Sequence, residues 1–189
     1  MKVSVIENSP KVLRVDISGV SFGVANAIRR AATSGVGCFA IDSVTFYENT
    51  SAMFDEYIAH RIGLIPITTP KDYGEKDEVL FSLEAEGPAT VYSKELKSDD
   101  KNVKVANDAI PIIKLAEGQR LKVDGKAVMG FGSKSAKFQP GIATYEAKNG
   151  TDFEFYVESF GQMPANEIMK RALDIINAGF KEIHKELKK

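Results

Sequence analysis

Glu56 and His60 are the pair in this chain with the residue types and spacing for chemistry. They sit in Phe54-Asp-Glu-Tyr-Ile-Ala-His-Arg61. A helix there puts residues i and i+4 on one face. Two such groups could start a metal site or an acid–base pair, but either needs further partners. The only other histidine is His184, and the zincin order His-Glu-x-x-His is absent. An ion pair on a helix surface is the simpler expectation. A stand-alone hydrolase using Glu56 and His60, with Asp55 in support, is the enzymatic alternative. Gly130-Phe-Gly-Ser-Lys-Ser135 has the composition of a phosphate loop. That motif needs glycine directly before lysine and a helix after it. Position 133 is serine and the flanks are strand-like, so the stretch reads as a glycine-rich turn presenting Lys134 and Lys137 to a partner. Arg29 and Arg30 are adjacent on a short helix and point about 100° apart. One can meet an interface, where arginine is a favoured anchor, while the other meets solvent. No catalytic residue and no metal are expected from these groups. They read as parts of protein surfaces.

The composition agrees. The chain has 189 residues, 43% hydrophobic and 27% charged, an ordinary globular balance. Its 25 basic residues face 26 acidic ones. Strong unaided nucleic-acid binding needs a basic excess or patch, so any contact with DNA is expected to be indirect. The single cysteine, Cys38, excludes an internal disulfide and a cysteine metal cluster. The start, MKVSVIENSP, lacks an apolar signal core. No apolar run approaches the ~20 residues of a membrane span. A cytoplasmic setting away from membranes is the expectation.

The elements that must position these residues follow from periodicity. Residues 2–7 and 12–18 alternate around Asn8-Ser9-Pro10-Lys11, predicting a hairpin with one buried face. Ser21 is a plausible cap for a helix from about Phe22 to Ser34, which Gly35 and Gly37 end. A strand over about Phe39–Tyr47 comes next. Asn49-Thr50-Ser51 then reads as the cap of a helix from about Ala52 to Ile62. From Pro70 to about Lys148 the runs are short and β-like: Val79–Ala85, Ala89–Ser93, Ile110–Leu115, Arg120–Val123, Lys126–Met129 and Gly141–Ala147. Lys94 to Lys104, mixed in charge, reads as a solvated loop. Asn149-Gly150 is a tight-turn signal before a strand over 153–158.

Pro164 opens the longest predicted helix, about Ala165 to Leu187. Met169, Leu173, Ile176, Phe180, Ile183 and Leu187 recur at spacings of four and three, and Ile168, Ala172 and Ile175 widen the stripe. A 3-4 repeat of large apolar residues suits helix packing. A helix packed only on its own sheet is the plainer reading; the width of the stripe favours two partners, the chain's own sheet and a second chain. Gly179 costs this helix about 1 kcal/mol against alanine, and a close helix crossing is a motive for it. Lys185, Lys188 and Lys189 suit the helix dipole.

Three stretches carry a family resemblance: Asn26-Ala-Ile-Arg-Arg30, the run Ala40–Ser51, and Phe54-Asp-Glu-Tyr-Ile-Ala-His-Arg-Ile-Gly-Leu-Ile-Pro66. Gly130-x-Gly132 with Ala136-Lys137-Phe138-Gln-Pro140 agrees, as does Glu158-Ser159 ahead of a long last helix. Together they resemble the D subunit family of archaeal RNA polymerase, related to the third subunit of eukaryotic polymerase II and the bacterial alpha subunit. The resemblance implies an α+β fold: a dimerisation domain, antiparallel sheet with helices, over 1–42 plus 150–189, interrupted by a β-rich insertion domain over 43–149. It implies a non-catalytic scaffold within a nucleotidyltransferase complex. The scaffold pairs with a small L-type subunit and nucleates binding of the second-largest and largest subunits, and the small N and P subunits join it. By position, Phe22, Met169, Leu173, Ile176, Phe180, Ile183 and Leu187 are expected at the L-type partner. Arg29, Arg30, His60, Arg61, Lys134 and Lys137 are expected at a large subunit.

Three departures stand out. Many D subunits carry a cysteine-rich insertion after the strand matching Gly141–Ala147, where this chain has only Lys148-Asn-Gly150. No iron–sulfur cluster or other cofactor is therefore expected. Gly37 stands where the family usually has proline, and Ser135 where relatives often have histidine. A homodimer through the last helix, as in the bacterial relative, is the second alternative.

Overall fold

The computed structural model describes residues 1–188, and Lys189 lies outside the described residues. In chain order the elements are β1 (Lys2–Asn8), β2 (Val12–Ser18), α1 (Phe22–Arg30), β3 (Gly37–Asn49), α2 (Asp55–Gly63), β4 (Glu78–Glu86), β5 (Ala89–Tyr92), β6 (Lys97–Ser98), β7 (Pro111–Leu115), β8 (Arg120–Phe131), β9 (Gly141–Ala147), β10 (Asp152–Ser159) and α3 (Ala165–Glu186). They form two compact units, Met1–Gly37 with Phe131–Lys189, and Cys38–Gly130. The fold class is α+β, as the sequence implied.

The discontinuous unit is built on a four-stranded sheet in the order β1-β2-β10-β9. All its pairs are antiparallel. Alternation dictates its faces: Leu13, Val15 and Ile17 on β2 and Phe153, Phe155 and Val157 on β10 are buried, while their sequence neighbours are not. Each large apolar side chain so covered contributes about 1.5–3 kcal/mol. Ala25 and Ile28 of α1, with Ala165, Ile168, Met169 and Ala172 of α3, supply the helical side of this core. Ser21 caps α1, its hydroxyl accepting from Val24 N at 3.4 Å. The helix expected to reach Ser34 changes pitch at Ala31–Gly35 into one wide π-type turn, where Val36 N donates to Ala31 O at 3.0 Å. The compact division falls at 130/131, ahead of the expected 149/150. The difference is β9, which pairs along its whole length with β10 (Phe153↔Ala147 through Ser159↔Gly141).

The continuous unit has a sheet in the order β3-β8-β4-β6 and a two-stranded ladder, β5-β7. The two β runs expected at Arg120–Val123 and Lys126–Met129 are one strand, β8. Asp124 and Gly125 do not turn, because they sit in the ladder opposite Ser82 and Phe81. The core gathers Phe39, Ile41, Ile58, Ile62, Phe81, Leu83, Ile112 and Val123, among others. Lys94–Lys104 is more than a solvated loop. It contains β6, and Leu96 and Val103 are buried anchors within it. The expected cap of α2 is also displaced. Asn49 and Ser51 fold a turn of their own, with Asn49 Oδ1 accepting from Ser51 N at 3.1 Å. The helix begins only at Asp55 after Phe54, which makes no side-chain cap bond. Asn49 Nδ2 reaches that first turn by donating to Asp55 Oδ1 at 2.7 Å.

Candidate protein-interaction surfaces

α3 is 22 residues long, about 33 Å at 1.5 Å per residue. It packs on β10 and β2 near its start, and its burial ends at Ala172. Beyond that point Ile176 is half-buried and Leu173, Phe180, Ile183 and Leu187 are exposed, Phe180 at 65%. Met169 departs from the seam expected at a partner. It is only 5% exposed, because its turn of the helix is the one seated on the chain's own sheet. Apart from its own helix backbone and chain neighbours, no atom of the described residues lies within 4 Å of where a Cβ on Gly179 would stand, so none of them makes a crossing at that glycine.

Phe22, at the start of α1, is half exposed and meets the buried Phe153 edge-on, ring centroids 4.9 Å apart. Phe153 pairs with Ile17, and Ile17 with Val3, so these four side chains run across one face. At the outer strand that face is uncovered. Val3 and Val5, level with Ile17 and Val15, remain exposed, Val5 at 60%. The alternation predicted a hairpin with one buried face; that face is buried on β2 and left exposed at Val3 and Val5 of β1, because alternation carries no signal for whether a face is covered.

The end of α1 is joined to the glycine-rich turn. Ser133 N donates to Ser34 O at 3.2 Å. A Cβ on Gly132 would lie 2.8 Å from Thr33 O and 2.7 Å from Gln139 Cγ, so glycine permits this approach. Four of the cationic residues singled out in the sequence, Arg29, Arg30, Lys134 and Lys137, thus sit on two adjoining segments of one unit. Arg30 and Lys134 are exposed. Arg29 is half-buried, with Nη2 and Nε donating to Asn26 Oδ1 at 3.0 and 3.2 Å. Lys137 Nζ lies 5.3 Å from the centre of the Phe138 ring.

His60 and Arg61 belong to the other unit, on α2. Ile58, Ile62 and Gly63 of this helix are buried, while Phe54, Tyr57, His60, Arg61 and Leu64 face outward. Arg61 Nη2 donates to Pro111 O at 2.7 Å. Glu56 and His60 are both exposed, and the expected ion pair between them is not formed. Two side chains on a free helix surface gain little from such a pair. Among the described residues no three of His, Cys, Asp and Glu gather as a metal-holding group. Beside α2 lies an open groove of about 590 Å³, floored by Met53, Phe54, Tyr57 and Ile113. Sequence reading missed this groove, because Ile113 comes from β7 and no local spacing links it to α2.

The solvent face of the first sheet is tied by charge. Glu154 accepts from Arg14, whose Nε lies at 3.0 Å, and from Lys148 Nζ at 3.2 Å. Lys148 also donates to Asp16 Oδ1 at 2.7 Å. The Arg14 hydrogen bond first, then that of Lys148, holds the Glu154 carboxyl below its ordinary value. Asp16 and then Glu154 raise Lys148. Among the described residues no helix is long and apolar enough to cross a membrane.

Residues 40–144 match the RNA polymerase Rpb3/RpoA insert domain. That span takes in most of the continuous unit and reaches into β9. DNA-directed RNA polymerase subunit Rpo3 of Methanocaldococcus jannaschii is 48% identical over 152 residues, covering 80% of this chain and 78% of the relative. Subunit Rpo3 of Pyrococcus furiosus is 48% identical over 153 residues, and that of Thermococcus kodakarensis 49% identical over 153. Each of those two alignments covers 77% of this chain, which spans 59% of each relative. A family match over more than half of the residues, with near-50% identity to relatives over 77–80% of the chain, leads to one conclusion: the chain belongs to the Rpb3/RpoA family of RNA polymerase subunits.

Proposed function

We propose that this chain is a non-catalytic assembly subunit of DNA-directed RNA polymerase. The observation that carries the reading is α3. Its first turns are consumed by the chain's own core, and its outer turns carry large apolar side chains that stay exposed among the described residues. Burying Leu173, Ile176, Phe180, Ile183 and Leu187 against the helices of a small L-type subunit removes that surface from water. Phe22 extends the same partner surface on α1. The pair then captures the second-largest and largest subunits through polar anchors: Arg29, Arg30, Lys134 and Lys137 on one unit, His60 and Arg61 on the other. The small N and P subunits join this platform, and DNA is reached only through the assembly. No cofactor takes part in this reading: the single thiol, Cys38, is buried and cannot supply a cluster's ligand set.

Co-expression with an L-type subunit tests the proposal. The expected result is a one-to-one complex by mass measurement, with the chain alone self-associating or precipitating. A monodisperse monomer that ignores the small partner overturns the reading. A stable homodimer that persists in the partner's presence favours instead a structural protein pairing with itself through α3.

A further inference from the structure

We infer that the groove between α2 and β7 is a second docking site, one that takes a short protein segment carrying both acidic and large apolar side chains. Phe54 and Tyr57 are exposed at 72% and 64%, although both are large aromatics. Their rings lie 6.4 Å apart and tilted by 35°, and Ile113 closes the floor from β7. Aromatic pairs left open beside a concave floor are the usual anchors of an interface. The rim fixes the partner's charge. His60, Arg61 and Lys114 line the groove, and no aspartate or glutamate does. Among the described residues Lys114 has no ion-pair partner. Arg61 is held against the groove wall by its bond to Pro111 O, which leaves its other N–H groups for an incoming carboxylate. In a chain with a net charge of −1, a groove free of carboxylates is a local reversal of sign. The complement is an acidic segment with leucine or phenylalanine at its apolar positions. This site lies wholly within Cys38–Gly130, and it deepens the proposed large-subunit contact at His60 and Arg61 by giving it a groove and a ligand chemistry, with binding of the segment itself not requiring pairing through α3.

The test is fluorescence anisotropy of the full chain with a short labelled peptide that alternates Asp or Glu with Leu and Phe. Saturable binding is expected, weakened roughly ten-fold or more by Tyr57→Ser and by Lys114→Glu. Both side chains are exposed, so thermal midpoints should stay near the parent's. The same peptide with lysine in place of each acidic residue is expected not to bind. Equal binding of the lysine peptide, or variants that bind like the parent, overturns the inference. So does self-association of the chain that Tyr57→Ser abolishes, because a second copy would then be the occupant. Peptide binding without recovery of an L-type subunit supports this site while sinking the assembly reading.

Discussion

At Phe180 the proposed pairing surface is most exposed in a large aromatic side chain. Phe180→Asp places a charge where an apolar side chain would be buried. It is expected to weaken pairing with an L-type partner by about 2 kcal/mol or more, read as loss of co-purification. Arg30→Ala should leave pairing intact and weaken capture of the second-largest subunit, because Arg30 lies on the solvent side of α1, away from Ala25 and Ile28. Loss of pairing in the arginine variant would contradict that division. Glu154 gives a pH prediction. Its folded-state pKa is depressed below an ordinary value of 4.5, so its contribution is complete above that value. It is lost as pH falls through the depressed folded pKa. Thermal midpoints followed from neutral to acid pH should fall less in Glu154→Gln than in the parent, starting from a lower midpoint. Because the Arg14 side chain is 44% exposed, solvent screens the pair and keeps the effect small. These residues were legible to different degrees. Phe180 stood out by spacing, and Glu154 only by the pairing of β10 with β2.

Among the elements, α1 and its wide turn show what one glycine sustains. Gly132→Ala forces a Cβ against Thr33 O and Gln139 Cγ at under 3 Å. Displacing the turn should cost about 1–3 kcal/mol, measured by denaturant unfolding, with a loss of large-subunit capture as the second readout. An unchanged midpoint would mean that the turn and α1 are not coupled. Gly179 is the opposite case. Among the described residues the space around it is open, so Gly179→Ala should raise helix stability by up to about 1 kcal/mol. If a partner helix crosses there, the same change weakens pairing, and pairing strengthened in step with helicity would remove the crossing. Element existence was readable from periodicity, while element ends were not. α1 stops where its turn widens against the Gly132 segment, and α2 starts late because Asn49 and Ser51 spend their side chains on a preceding turn.

For the whole molecule, the two units make different demands on the chain. Cys38–Gly130 is continuous and contains its own core of Phe39, Ile58, Phe81 and Val123. A fragment of these residues should unfold in one cooperative transition, checked by circular dichroism and denaturant titration. The discontinuous unit joins β2 to β10 across the whole insertion, so neither of its two segments should fold without the other. A molten fragment over 38–130 would show instead that the continuous unit leans on the rest of the chain.

By itself the sequence determined the class of the protein. Alternation and 3-4 spacing fix which side chains can share a face, and the motif runs around Arg29, Arg30 and Phe54–Pro66 tie the chain to its family. Charge balance and a lone cysteine set the expectations against unaided nucleic-acid binding and a cysteine-held cluster. Tertiary structure decided which faces stay uncovered. Met169 and Phe180 belong to one apolar stripe, yet only the first is seated on a sheet. Ile113 and Tyr57 share a groove that no local pattern records. The physical reason is that periodicity describes a side chain's direction from its own backbone. Exposure and grooves depend on what a distant part of the chain places opposite.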